Sequence, residues 1–138
     1  MTTLTKTLTF AAALMIAAGA ASAQNLKADI PFAFETNGKA MPAGTYDVSK
    51  LHSASAVFRL QDGEGHAVMA LGAVAHDPDK AWRQDRKPRL AFACADTRCT
   101  LIQVYTGNEN PAYEVSRPKT TDIGTRIAVV TMRSDKGE

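Results

Sequence analysis

Trp82, Arg83, Arg86, Lys87 and Arg89 stand close together in an otherwise polar stretch of the chain. An exposed indole beside guanidinium groups suits stacking on a sugar ring or capture of an anionic polymer. The competing reading is that Trp82 folds down to cap one end of the fold while the charges stay in water. Asp77, Asp79, Lys80 and Asp85 share the segment, and Pro78 and Pro88 mark its ends. That composition predicts a long exposed loop with at most one short helical turn, and loops of this kind carry function disproportionately.

Other chemistry has less behind it. His76-Asp77-Pro78-Asp79 places an imidazole near two carboxylates, yet zinc and calcium sites need three or more ligands converging at defined spacing. Asp62-Gly63-Glu64-Gly65 reads as a hairpin turn, where glycine supplies positive φ, and falls short of a calcium loop. Serine, histidine and aspartate all occur without a strained nucleophile turn. Asp47, Asp62, Glu64, Asp96 and Glu114 offer carboxylates for sugar hydrolysis, but in a small chain they read as surface charge. No catalytic residue, metal ligand or cofactor is therefore expected.

The two cysteines, Cys94 and Cys99, bracket Ala95-Asp96-Thr97-Arg98. With those four residues as a hairpin loop, the cysteines face each other, Phe92 pairs with Leu101 and Leu90 pairs with Gln103. Facing strand positions lie within disulfide reach. The short closed loop limits the chain-entropy gain to roughly 2 kcal/mol. A redox role would favour a two-residue spacer at a helix N-terminus, so a structural staple is expected.

These groups need a frame, and the alternation of apolar and polar residues supplies one. Turn signals recur every 8 to 12 residues, the mark of a sandwich or barrel. A first strand is predicted over Lys27 to Glu35, with Ile30, Phe32 and Phe34 on one face, then a tight turn at Asn37-Gly38. Tyr46 and Val48 point inward from the next strand. Ala56, Phe58 and Leu60 share a face, as do Ala67, Met69 and Leu71 across the Asp62–Gly65 hairpin. Tyr113 and Val115 form a short strand, residues 120–125 a loop, and Arg126 to Arg133 the last strand. The expected fold class is all-β: one antiparallel β-sandwich or barrel-like domain of about seven to eight strands, after an N-terminal signal helix.

That helix belongs to an export signal. Met1 to Thr7 is polar with Lys6, Leu8 to Ala20 is almost wholly apolar, and Ala21-Ser22-Ala23 has the small-x-small pattern that signal peptidase accepts. The apolar run, about 13 residues, is shorter than the roughly 20 that span a bilayer. Cleavage after Ala23 would remove 23 of the 138 residues and leave residues 24–138 as a single domain. The whole chain carries a formal charge of only +2, which argues against a nucleic-acid partner. Export into periplasm or medium is oxidising, in keeping with a paired cysteine count.

Ile30-Pro31-Phe32-Ala33-Phe34, Asn37-Gly38-Lys39 and Met41-Pro42-Ala43-Gly44-Thr45-Tyr46-Asp47-Val48 together resemble a group of small exported proteins of soil bacteria, most of them uncharacterised. The likeness covers residues 28–48 well, with Leu90-Ala91-Phe92 and the strand Leu101 to Tyr105 similar in position. It implies a compact β-sandwich-like domain and no particular activity. Its residues read as architecture: Phe32 and Phe34 as core, Pro42-Ala43-Gly44 as a bend, Tyr46 as a core aromatic.

Three functions fit. The first is a non-catalytic module binding an envelope or extracellular ligand, such as a polysaccharide or another envelope protein, through Trp82, Arg83, Arg86, Lys87 and Arg89. The second is an assembly subunit that self-associates by strand addition, using a detachable N-terminal strand (Leu26 to Phe34) or the uncharged Ile127 to Met132. The third is a small envelope hydrolase, which would need a deep pocket with convergent ionisable groups.

Overall fold

The computed structural model describes residues 25–52, 55–116 and 126–134. The expected leader, the 120–125 loop and the polar tail lie outside the described residues. All-β holds: among the described residues eleven strands form one sheet, and the six-residue helix α1 (Lys80–Asp85) stands among them. Among the described residues no helix is long and apolar enough to cross a membrane.

Of the expected sandwich or barrel-like domain of about seven to eight strands, the sandwich and the strand count are corrected. Proline and tight turns cut the alternating stretches into shorter strands than periodicity suggested. Pro31 carries no N–H for a ladder, and the predicted first strand splits into β1 (Leu26–Ile30) and β2 (Phe34–Thr36). Asn37 and Gly38, at φ +51° and +73°, turn β2 back into β3 (Lys39–Met41). Then follow β4 (Gly44–Lys50), β5 (Val57–Asp62), β6 (Ala67–His76), β7 (Arg89–Ala95), β8 (Arg98–Tyr105), β9 (Ala112–Val115), β10 (Arg126–Thr131) and β11 (Arg133–Ser134).

One long strand keeps the ladder in a single sheet. The first half of β6 pairs with β5 and its second half with β9, with a register break between Gly72 and Val74. Gly72 is required there, because a Cβ would lie 2.8 Å from the Ala56 carbonyl oxygen. The path runs β10-β7-β8-β9-β6-β5-β4-β1-β11, and its two ends are consecutive pieces of one C-terminal segment separated by Met132. The ladder therefore returns on itself. β2 fills the part of β8 that β9 leaves open, pairing parallel at Phe34 to Cys99.

The core lies inside this wrap. Ile30, Phe34, Tyr46, Val48, Phe58, Leu60, Leu90, Phe92 and Leu101 are all buried. Phe92 meets Phe32 and Phe34 edge-on, with centroids 5.0 and 5.5 Å apart. Tyr46 packs edge-on against Phe34, and its hydroxyl donates to the Pro42 carbonyl at 2.5 Å, clamping the Pro42-Ala43-Gly44 bend. On β6 the buried face is Val68 and Ala70, while Leu71 is exposed; alternation alone cannot say which phase faces in.

Cys94 and Cys99 are disulfide-bonded across β7 and β8, with Cα atoms 4.0 Å apart. The loop they close is tighter than the four residues expected. Ala95 and Arg98 pair, leaving Asp96 and Thr97 as the turn, with Asp96 at φ +55°. Phe92 faces Leu101 as expected, but a bulge beside Ala91 shifts Leu90 onto Val104 instead of Gln103.

Candidate functional site

A helix of six residues is too short to persist alone, so tertiary contacts must hold α1 in place. Arg83 N–H donates to the Asp79 carbonyl at 3.0 Å, and Arg86 N–H to the Trp82 carbonyl at 2.9 Å. Arg86 ends the helix in the left-handed region, φ +58°, where glycine is the usual residue. The half-buried Trp82 ring stacks on Tyr105, 6.0 Å between centroids and 21° from parallel. The Arg89 guanidinium lies over the same indole, 5.5 Å from its centroid. Arg89 also grips Asp85 with both terminal guanidinium nitrogens, the Nη1–Oδ1 bond being 3.0 Å.

The turn between β8 and β9 is drawn against the end of this helix. Asn108 N–H donates to the Arg86 carbonyl at 3.0 Å, and the Tyr105 hydroxyl donates to the Asn108 carbonyl at 2.9 Å. Gly107 sits at φ +87°, and a Cβ there would lie 2.8 Å from the Arg86 carbonyl oxygen. Between helix and turn is an open hollow of about 300 Å³. It is lined by Asp77 and Pro78 ahead of the helix, Arg83 and Arg86 at its end, and residues 108–111 of the turn.

The five predicted binding residues therefore part company. Arg83 and Arg86 reach the hollow; Trp82 and Arg89 are spent on fixing α1; Lys87 is exposed away from the lining. Asn108, Glu109 and Asn110 join the site although they read in the sequence only as turn residues, and Asp77 joins it although its sequence context suggests only a partner for His76. Among the described residues Arg83, Arg86, Asp77 and Glu109 make no ion pair. Two positive and two negative groups thus surround one hollow without neutralising each other.

The Arg89 grip has a pH signature. Hydrogen bonding from the Arg89 side chain, then from the Lys87 amide, holds the Asp85 carboxyl below the usual carboxylate value. A depressed folded value means the tether is fully present above the unfolded value of about 3.9 and is lost as pH falls through the folded one. An NMR titration is expected to find Asp85 protonating below the ordinary aspartate range. In Arg89→Gln it should move up towards that range; an unmoved midpoint would exclude Arg89 as the cause.

The other clusters are braces. The His76 ring bonds the Asp77 carbonyl at 2.8 Å and lies 3.8 Å from Glu114, and it does not converge with the Asp77 and Asp79 carboxylates. Asp62, Glu64 and His66 do converge within 4.8 Å. Asp62 already accepts the Glu64 and His66 amides, at 3.0 and 2.9 Å, and meets His66 Nδ1 at 3.0 Å, closing the β5–β6 turn. Partial burial works to raise the Asp62 carboxyl, but these three bonds hold it below the ordinary value. No protein family, no curated protein and no solved structure matches the chain.

Proposed function

We propose that this chain is exported with loss of residues 1–23 and serves as a non-catalytic module that binds an envelope or extracellular polysaccharide at the hollow between α1 and the β8–β9 turn. The observation that carries the reading is the pair Arg83, in the last turn of the pinned helix, and Arg86, its left-handed C-cap, both lining the hollow and free of ion pairs among the described residues. Such a pair offers charge-assisted, planar hydrogen bonding to a ligand without first breaking an internal bridge. The likeness of residues 28–48 to small exported proteins, and the disulfide, support the export half.

Protein recovered outside the cytoplasm is expected to begin at Gln24 and to be retained on insoluble envelope polysaccharide. Arg83→Gln with Arg86→Gln should lose that retention at unchanged thermal midpoint, because both side chains are exposed. Wild-type protein that flows straight through would overturn the reading.

The hydrolase reading is weaker. Asp77 and Glu109 share the hollow, but both are exposed, and a carboxylic general acid is one held away from water. Strand addition keeps one specific observation: Ile127 and Val129 on β10 are 59% and 46% exposed. The N-terminal strand favours it less, since β1 is paired to β4 and β11 and buries Leu26, Ala28 and Ile30. A monomeric mass by light scattering would remove it.

A further inference from the structure

Resting on that binding reading, we infer that the ligand class is an acidic saccharide, recognised as a uronate: a sugar ring bearing one carboxylate and vicinal hydroxyls. The charges in the hollow specify it. Arg83 and Arg86 present forked donors that match a carboxylate edge. Asp77 and Glu109 line the same hollow, and a carboxylate can only accept hydrogen bonds. They therefore suit hydroxyl donors, and their repulsion weighs about twice as heavily on a phosphate dianion, which has no hydroxyl-rich ring to offer them, as on the single carboxylate of a uronate.

The remaining lining points the same way. Asn108 and Asn110 supply amides that both donate and accept, as a polyol requires; Asn110 already gives one N–H to the Gly107 carbonyl at 3.0 Å and keeps its oxygen. The lining holds no aromatic ring, because the Trp82 indole is stacked on Tyr105. A neutral sugar would depend on such a platform, whereas a uronate is anchored by its charge. About 300 Å³ is at the small end of ligand sites, enough for a sugar unit entered from an open side.

Calorimetric titration of the purified protein with a galacturonate tetramer, the neutral galactose tetramer and inorganic phosphate tests this. The uronate is expected to bind, the neutral tetramer to bind about tenfold or more weakly, and phosphate not to compete. Arg83→Gln with Arg86→Gln should weaken the uronate by about tenfold or more, and Lys87→Gln by less than about twofold. Equal binding of the neutral tetramer, or competition by phosphate, with either lost in the double arginine variant, overturns the uronate assignment and leaves the binding site standing. Silence with all three probes, alongside retention on envelope polysaccharide, does the same. Uronate binding indifferent to both arginine substitutions overturns the site itself.

Discussion

Phe92→Ala is expected to remove about 3–5 kcal/mol of folding stability, the usual cost of emptying a buried phenylalanine position. Phe92 is fully buried on β7, the strand that pairs with both β8 and the terminal strand β10. Its ring holds Phe32 and Phe34 edge-on, and these come from the stretch where Pro31 breaks the ladder. Removing it leaves a cavity and also takes from Phe32 and Phe34 the ring they share, leaving β2 to its pairing with β3 and β8 and to the Phe34–Tyr46 contact. Set against a total of about 5–15 kcal/mol for a domain, the loss is large. Urea denaturation at neutral pH measures it directly, with Ile127→Ala at an exposed position expected to stay within about 0.5 kcal/mol of wild type. A Phe92→Ala midpoint close to wild type would mean that the core is organised differently.

Gly107→Val is expected to be the most damaging single change near the hollow. Valine at φ +87° is strained, which by itself costs about 1–3 kcal/mol. Its Cβ would also sit 2.8 Å from the Arg86 carbonyl oxygen and 3.1 Å from the Pro88 nitrogen, both backbone atoms with little room to give. That carbonyl accepts the Asn108 amide, so any relief separates the turn from the helix and opens the hollow. Thermal melting should show the loss of stability, and retention on polysaccharide should fall with it. Gly63→Ala is the matched control, having nothing within 4 Å and no positive φ. Undiminished retention in Gly107→Val would mean that the β8–β9 turn takes no part in binding.

Local pattern made much of the fold legible. Asn37-Gly38 announced its turn, Tyr46 and Val48 announced their buried face, and Cys94 with Cys99 announced both their pairing and the Phe92–Leu101 register. What pattern could not supply was partner choice. β6 reads as one alternating stretch, yet it leaves β5 for β9 at Gly72, and that switch, which the expected sandwich or barrel-like domain left open, makes one continuous sheet. The phase of β6 was equally hidden, because both of its faces carry apolar side chains.

The site divides along the same line. Arg83 and Arg86 were visible as charges beside a tryptophan. Their separation from Trp82 and Arg89 was not, because it depends on Tyr105 offering a ring on β8 for the indole to stack on. Asn108, Glu109 and Asn110 had no sequence signal beyond a turn; the Asn108–Arg86 backbone bond, a contact between distant stretches, makes them part of the lining.

The binding claim is tested most directly by mapping amide shifts of the labelled protein as oligosaccharides released from the producing cells' own envelope are added. Progressive shifts confined to residues 77–86 and 107–111 are the predicted result. Shifts centred on β10, or no shifts at saturating oligosaccharide, would contradict it.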